Sequence, residues 1–336
     1  MRSGRLAKAL VCSISTAFLF TLPLLLRGKP FYLYIAVMIM LNVIFALGVR
    51  LVVLMGLPTL GHAGFGLIGA YVSALAVMRL RLSFWLALPL AGFAAAVIGV
   101  VTCYPAIMRL RGAYFLLVTF AINQLLVSLV SYAPWARITG GYEGIMGIPA
   151  PNALTGLLSI DFNSKFAYFY LTLVILIFMV LLTYRIDSSP FRRLINATNE
   201  SATLAESIGI NVARVRIITF AIACFSGGIA GSLFAHYSHS ISPGDFGIWQ
   251  SIYMLIYAVF GGLGSVLGPV LGATVLTIVP EMLRFTPMLQ IIVFGILLIV
   301  VAVFFPHGLL GLCQEIPSLG KRVMLLTKGA NCRGDT

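Results

Sequence analysis

Apolar residues in this chain gather in runs long enough to cross the hydrocarbon core of a bilayer, which takes about 20 residues of helix. The runs cover residues 9–26, 31–49, 62–78, 84–107, 113–133, 166–184, 215–236, 248–267, 268–284 and 288–306. Inside lipid the backbone amides and carbonyls have no water to bond, so each run is expected to be a helix that satisfies its own backbone. Sixty per cent of the residues are apolar and only 9% are charged, against about 25% charged in a soluble domain. Water-soluble folds are thereby excluded. The expectation is an all-α polytopic membrane protein of about ten transmembrane helices. Its transmembrane domain spans 1–312, and a basic tail follows over 313–336. The 33 glycines suit helix packing in lipid, where small residues let backbones approach closely.

The first run follows Arg2, Arg5 and Lys8 and so has the outline of a signal peptide. It lacks a small-x-small cleavage site before Arg27, and is expected to be an uncleaved first span. The net charge of +13 is spread thinly along the chain. That is a poor match to nucleic acid, which calls for basic residues on one face, and it is better explained by topology. With the N-terminus in the cytoplasm, residues 1–8, the turns near Arg50 and Arg109–Arg111, the segment 185–216 and the tail are cytoplasmic. They hold 15 of the 22 Lys and Arg residues. Arg27, Lys29, Arg79, Arg81, Arg137, Lys165 and Arg284 lie outside. This distribution obeys the positive-inside rule, with both termini cytoplasmic.

The five cysteines, Cys12, Cys103, Cys224, Cys313 and Cys332, form no C-x-x-C pair and lie mostly in apolar runs. They read as small core residues. His236 and His239 are three apart with only Asp245 nearby, so no metal site is expected. The spans group no nucleophile with an acid and a base. No catalytic residue is assigned, and the chain is not expected to be an enzyme.

All nine acidic residues fall in loops or near the membrane interfaces. Ion-driven carriers place ionisable groups near the bilayer centre, so the driving energy is expected to enter elsewhere. Gly261-Gly-Leu-Gly-Ser-Val-Leu-Gly-Pro269 is glycine-rich but lacks the Gly-Lys-Ser/Thr ending that cradles a nucleotide phosphate. The chain itself should not bind ATP.

Gly56-Leu-Pro-Thr-Leu-Gly-His-Ala-Gly-Phe-Gly66 interrupts an apolar region. Broken helices at membrane depth line protein or a cavity, and their N-termini can face an anion. Gly61, His62 and Phe65 are therefore candidates for a substrate pathway. Equally, the glycines can serve tight packing, with His62 a hydrogen-bonded core residue. Asn42, Asn123, Gln124 and Gln250 lie inside spans, where a solute contact and interhelical hydrogen bonding both explain them.

Two connections are too long to be turns. Residues 134–165 contain Pro134, Pro149, Pro151 and several glycines, and read as irregular and external. Residues 185–214 are cytoplasmic. There Asn199-Glu-Ser-Ala-Thr-Leu-Ala-Glu-Ser-Ile-Gly209 opens with an N-cap candidate, places Glu200 in the first turn and ends at a glycine. A short helix outside the membrane is expected, with Leu204 and Ile208 on one side. With Glu200 and Glu206, and with Arg192, Arg193, Arg214 and Arg216 on its flanks, it suits docking in a groove of another protein. A solvated loop whose arginines only enforce topology is the competing reading.

Several motifs together bear a family likeness. Thr59-Leu-Gly-His-Ala-Gly-Phe65 is followed by Gly69-Ala-Tyr71, Arg109-Leu-Arg-Gly-Ala-Tyr114, Thr139-Gly-Gly-Tyr-Glu-Gly-Ile145 with Gly147-Ile-Pro149, and Ala205-Glu-Ser-Ile-Gly-Ile-Asn211. The stretch 261–269 and Pro306-His-Gly-Leu-Leu-Gly311 complete the set. In this order the chain resembles the branched-chain amino-acid ABC importer permeases, of the LivM type. The resemblance implies the fold of the ribose, vitamin B12 and branched-chain amino-acid importer permeases, in the bacterial inner membrane. It implies a second homologous permease, two cytoplasmic ATP-binding subunits that hold ATP and Mg, and a periplasmic solute-binding protein. No cofactor is implied in this chain. Asn199, Glu200, Leu204, Ala205, Glu206, Gly209 and Ile210 match the ATPase-coupling helix. Gly61, His62, Phe65, Asn123, Thr139, Gly140 and Gly141 are the implied substrate pathway. One departure is that Thr198-Asn-Glu-Ser201 stands where the family commonly carries an Arg-Glu-Asn-Glu-like run. Permeases for urea, short amides or aromatic acids share much of the pattern. A stand-alone channel or ion-coupled carrier is the alternative outside the class.

Overall fold

Eight of the apolar runs become helices in the computed structural model, which describes residues 30–151, 162, 164–282, 292, 295, 296 and 299. With three short helices between them, the helices in chain order are α1 (Pro30–Leu54), α2 (His62–Met78), α3 (Phe84–Arg109), α4 (Gly112–Ser131), the one-turn α5 (Ala136–Thr139), α6 (Lys165–Ser188), α7 (Pro190–Glu200), α8 (Ala202–Ser207), α9 (Val212–Ser238), α10 (Ile248–Gly261) and α11 (Leu267–Met282). Five of these are long and apolar enough to cross a membrane: α1, α3, α4, α6 and α9. Helix α2 and the Leu267–Ile278 part of α11 are shorter apolar helices. The expected span 9–26, most of the expected span 288–306, the tail 313–336, Cys12, Cys313 and Cys332 lie outside the described residues. Cys103 and Cys224 are buried free thiols.

The centre is built on α9, which packs most extensively on α3 and α2, and on α1. Close approach is possible because Gly66 and Gly69 of α2 face Gly228 and Gly231 of α9. A Cβ on Gly69 would collide with the backbone of Gly228, and one on Gly231 with the carbonyl of Gly66. Ala91 and Ala95 of α3 meet the same Gly228 closely as well. Backbones in van der Waals contact are how lipid-embedded helices gain dispersion energy without a hydrophobic drive between them. Helix α1 lies deep, and Val37, Ile44, Ala46, Leu47, Val49 and Val52 are fully buried. Helix α4 lies at the periphery, with Tyr114, Leu117, Leu125 and Leu129 exposed.

The expected run 248–267 is shorter than the sequence suggested. Helix α10 stops at Gly261 because Gly262 turns left-handed at φ +99°. The carbonyl of Gly268 then presses so closely on Gly261 that a side chain there would clash. Helices α10 and α11 thus form a tight hairpin, with the glycine-rich stretch 261–269 as its turn and its crossing point.

Helix ends collect at two faces. One face carries Leu54, Arg109, Ser188, the segment 189–211 and the α10–α11 turn, and we call it the basic end. At the opposite end, the connection expected to be irregular carries local order. Residues Ala133–Trp135 form a 3-10 turn and α5 follows. Ile145–Met146 then pairs antiparallel with Ser240–Ile241. His236 and His239 hold the same strip, their Nδ1 atoms lying 2.8 and 2.9 Å from the carbonyls of Pro149 and Ile148. With Nδ1 donating, Nε2 of His236 accepts from Ser73, which in turn accepts from Ser232.

Candidate functional site

The segment 189–211 at the basic end is ordered by its own caps. Ser189 accepts a hydrogen bond from the amide of Phe191, and Pro190 occupies the first turn of α7, where its missing N–H costs nothing. Helix α7 therefore begins ten residues before the expected start and runs through Asn199 and Glu200. The N-cap expected at Asn199 is instead Ser201, whose hydroxyl accepts from the amide of Leu204 and starts α8. The end at Gly209 is as expected. Gly209 takes φ +85°, its amide bonds the carbonyl of Glu206, and the amide of Ile210 bonds that of Ala205. This is the two-bond Schellman closure, which only a residue tolerant of the left-handed region fits well. Asn211 then caps α9 by accepting from the amide of Arg214.

Helix α8 has two unlike faces. Ala202 and Ala205 turn inward onto Val212, with Ala197 and Ile210 packed around them. Leu204 and Ile208 turn outward, 68% and 75% exposed, and Glu200, Glu206 and Gly209 are exposed beside them. Two large aliphatic side chains next to the Glu206 carboxylate, on a short helix fixed at both ends and preceded by Glu200 at the end of α7, make a preformed contact surface. Of the four flanking arginines, Arg193 and Arg214 are exposed. Arg216 is buried and donates to the carbonyl of Ile107 at 3.2 Å. Arg192 is engaged with Asp187 at 2.9 Å. These last two belong to the protein's own framework, so they are not free to meet another protein.

Arg50 departs furthest from the sequence reading. It is not a turn residue: it lies inside α1 and is 0% exposed. Its Nη2 donates to Oδ2 of Asp187 at 2.6 Å, its Nη1 to Oδ1 at 3.3 Å, and its Nε to the carbonyl of Leu263 at 3.0 Å. The planar guanidinium offers this fork, two donors to one carboxylate and a third to the side. Nothing local in the sequence points to a partner 137 positions away.

The interruption between α1 and α2 covers residues 55–61, and His62 is the first residue of α2. Several amides at this start are already bonded by hydroxyls: Leu60 by Thr119, Gly61 by Thr59 and Ala63 by Ser251. Gly61, His62 and Phe65 are all buried. His62 is a core residue, but the hydrogen bonds expected of it are missing. Neither ring nitrogen has a partner among the described residues. Glycines 48 and 227 lie against it, and the rings of Phe45 and Phe65 stand edge-on at 6.2 Å. The nearby hydroxyl of Ser226 is committed to Ala223. Asn123, also fully buried, reaches the carbonyl of Phe246 only at 3.5 Å, and its Oδ1 has no partner. A side chain on Gly64 would meet that same Oδ1, so α4 seats Asn123 against α2 two residues along from His62, whose own ring packs on glycines 48 and 227.

Thr139, Gly140 and Gly141 are not brought there. The Thr139 hydroxyl bonds the carbonyls of Val130 and Trp135, about two helical turns along α4 from Asn123. Gly140 ends α5 in a left-handed turn. Among the other polar span residues, Asn42 donates to Thr277 at 3.0 Å between α1 and α11. Asn42 and Gln250 share a cavity of about 400 Å³ with Asp245, Tyr253 and Thr277. Gln124 and Ser128 lie on an outward face of α4, with Phe120 and Tyr132.

The model of the family described as "Branched-chain amino acid transport system / permease component" matches residues 31–302. The chain is 31% identical over 296 residues to the high-affinity branched-chain amino acid transport system permease protein LivM of Salmonella typhimurium, covering 82% of this chain and 69% of that protein. Its likeness to the LivM of Escherichia coli is 32% over 297 residues, with the same coverage. A second type of permease protein, LivH of Escherichia coli, is 26% identical over 275 residues, 77% of this chain and 87% of that one. No solved structure matches.

Proposed function

This chain belongs to the branched-chain amino acid transport permease family, and from that premise we propose that it forms half of the translocation pathway of an ATP-driven importer. The solute is leucine, isoleucine, valine or a related small polar molecule. The chain sits in a bacterial inner membrane with its basic end in the cytoplasm, as the positive-inside rule requires of the face holding most of the Lys and Arg residues. It pairs with a second, homologous permease. Two ATP-binding subunits on the cytoplasmic face hold ATP and Mg, and a periplasmic binding protein delivers the solute. This chain supplies no catalytic group and no cofactor.

The observation that carries this reading is the α8 surface. A six-residue helix is too short to persist by propensity, yet this one is capped at both ends and rests on its own small apolar cluster. Such a helix can transmit displacement as a rigid body. Leu204 and Ile208 would insert into the ATPase, Glu200 and Glu206 would meet basic groups at the rim, and Ala205 and Ile210 would hold the surface to α9. Gly61, His62, Phe65 and Asn123 are the part of the chain we assign to the pathway or its gate. Two buried polar side chains without full hydrogen bonding there cost about 1–3 kcal/mol each. A state of the pore in which water or solute reaches them would recover that cost.

Glu206→Arg keeps the caps and the buried face of α8 and inverts its outer charge. Reconstituted with its partner subunits, the variant should assemble while losing solute-stimulated ATP hydrolysis. Full stimulation would contradict the assignment of α8. Competition by unlabelled leucine, urea, short amides and aromatic acids for the cognate binding protein distinguishes the solutes.

A further inference from the structure

Force that arrives at α8 needs a path onward into the membrane helices. Near the start of the coupling segment stands Arg50, bonded to Asp187, a fully buried cation inside a membrane helix, where a charge is costly and usually functional. Its partners belong to two different elements. Asp187 is the penultimate residue of α6 and is separated from α7 only by Ser188 and the Ser189 cap. Leu263 lies in the turn of the α10–α11 hairpin. A second contact supports the same connection: Asn199, at the far end of α7, lies against Gly56, where a side chain would clash with its Oδ1. Helix α7 is therefore held against the α1–α2 region near both of its ends. The α10–α11 crossing is close-packed through glycines 261, 268 and 272, so the two helices are seated backbone to backbone.

We infer that Arg50 is a positioning residue, the joint through which movement of the coupling segment reaches the α10–α11 hairpin. The fork geometry is the reason it is arginine. One guanidinium plane holds the Asp187 carboxylate with two donors and the Leu263 carbonyl with a third, which a lysine ammonium cannot do in a fixed orientation. Arg192, on α7, shares Asp187 at 2.9 Å. A displacement of α7 thus acts on the carboxylate directly. The inference rests on the coupling assignment made above.

The test uses the complete reconstituted transporter in proteoliposomes and measures radiolabelled leucine imported per ATP hydrolysed. Two variants are compared with the native chain: Arg50→Lys, which keeps the buried charge and its pairing with Asp187 but loses the fork, and the double variant Arg50→Met/Asp187→Leu, which removes both charges together. Both should assemble and hydrolyse ATP, with leucine per ATP falling by about fivefold or more, the scale of mutational effects on coupling between sites. A native ratio in both variants would overturn the inference, and so would failure of both to assemble, which would make the pair structural only. Glu206→Arg is run alongside. If that variant keeps native stimulation, it is the coupling assignment beneath that fails, and the Arg50 inference falls with it.

Discussion

The two ends of this bundle solve one problem with different chemistry. Each must tie together helices that are distant in sequence. At the basic end the tie is ionic, Arg50 to Asp187 to Arg192, and both ion pairs found among the described residues lie there. At the opposite end the ties are hydrogen bonds without an acidic partner. His236 and His239 meet carbonyls, Arg79 donates to the carbonyl of Arg137, and two short strands pair. An ionic tie concentrates a large energy in one geometry and is lost when either partner shifts. A distributed set of carbonyl contacts yields gradually. On our reading the first belongs where force must be transmitted between elements, and the second where a surface must keep its shape.

Breaking each tie should therefore cost different amounts. Asp187→Leu leaves the Arg50 guanidinium buried and uncompensated, and should destabilise by about 3–5 kcal/mol. Thermal unfolding of the detergent-solubilised protein, followed by size exclusion, measures this. Removing both charges, as in Arg50→Met/Asp187→Leu, should cost less than Asp187→Leu alone, and the reverse order would contradict the account of the ionic tie. At the other end, His236→Ala removes one buried partner each from Ser73 and the Pro149 carbonyl, worth about 1–3 kcal/mol. Its effect should stay local, as faster hydrogen exchange over residues 145–149 with little change at 189–211. The smallest effect is expected for Ser201→Ala, which deletes a helix N-cap worth about 1 kcal/mol. It should raise exchange in α8 while leaving the ionic tie intact.

Much of this was legible in the sequence because membrane helices must be long and apolar, so the runs at 31–49, 62–78, 84–107, 113–133, 166–184 and 215–236 gave helices with ends close to those expected. Gly209 was legible for a similar reason, since a helix that stops in the open needs a left-handed residue. The N-cap was misplaced because Asn199 and Ser201 are both good caps two residues apart. The Ser189-Pro190 pair, itself a start signal, launches an earlier helix that absorbs Asn199. Arg50 was read only as a topology marker. Its pairing depends on where α6 ends in space, which local pattern does not encode. His62 shows the converse: the motif marked where the chain breaks between α1 and α2, but burial without a hydrogen bond is a property of the packed neighbours Gly48, Phe45 and Phe65.

The central claim is that the outer face of α8 is covered by the ATP-binding subunits, and Ile208→Cys tests it directly. This residue is 75% exposed, the described cysteines Cys103 and Cys224 are buried, and Cys12, Cys313 and Cys332 are replaced by serine so that only the introduced thiol is read. In inside-out vesicles a membrane-impermeant maleimide should label the introduced thiol rapidly when the permeases are expressed without the ATP-binding subunits. Labelling should slow by about tenfold or more once those subunits are bound, as a residue at a desolvated interface core requires. Equal labelling in the two preparations would contradict the account.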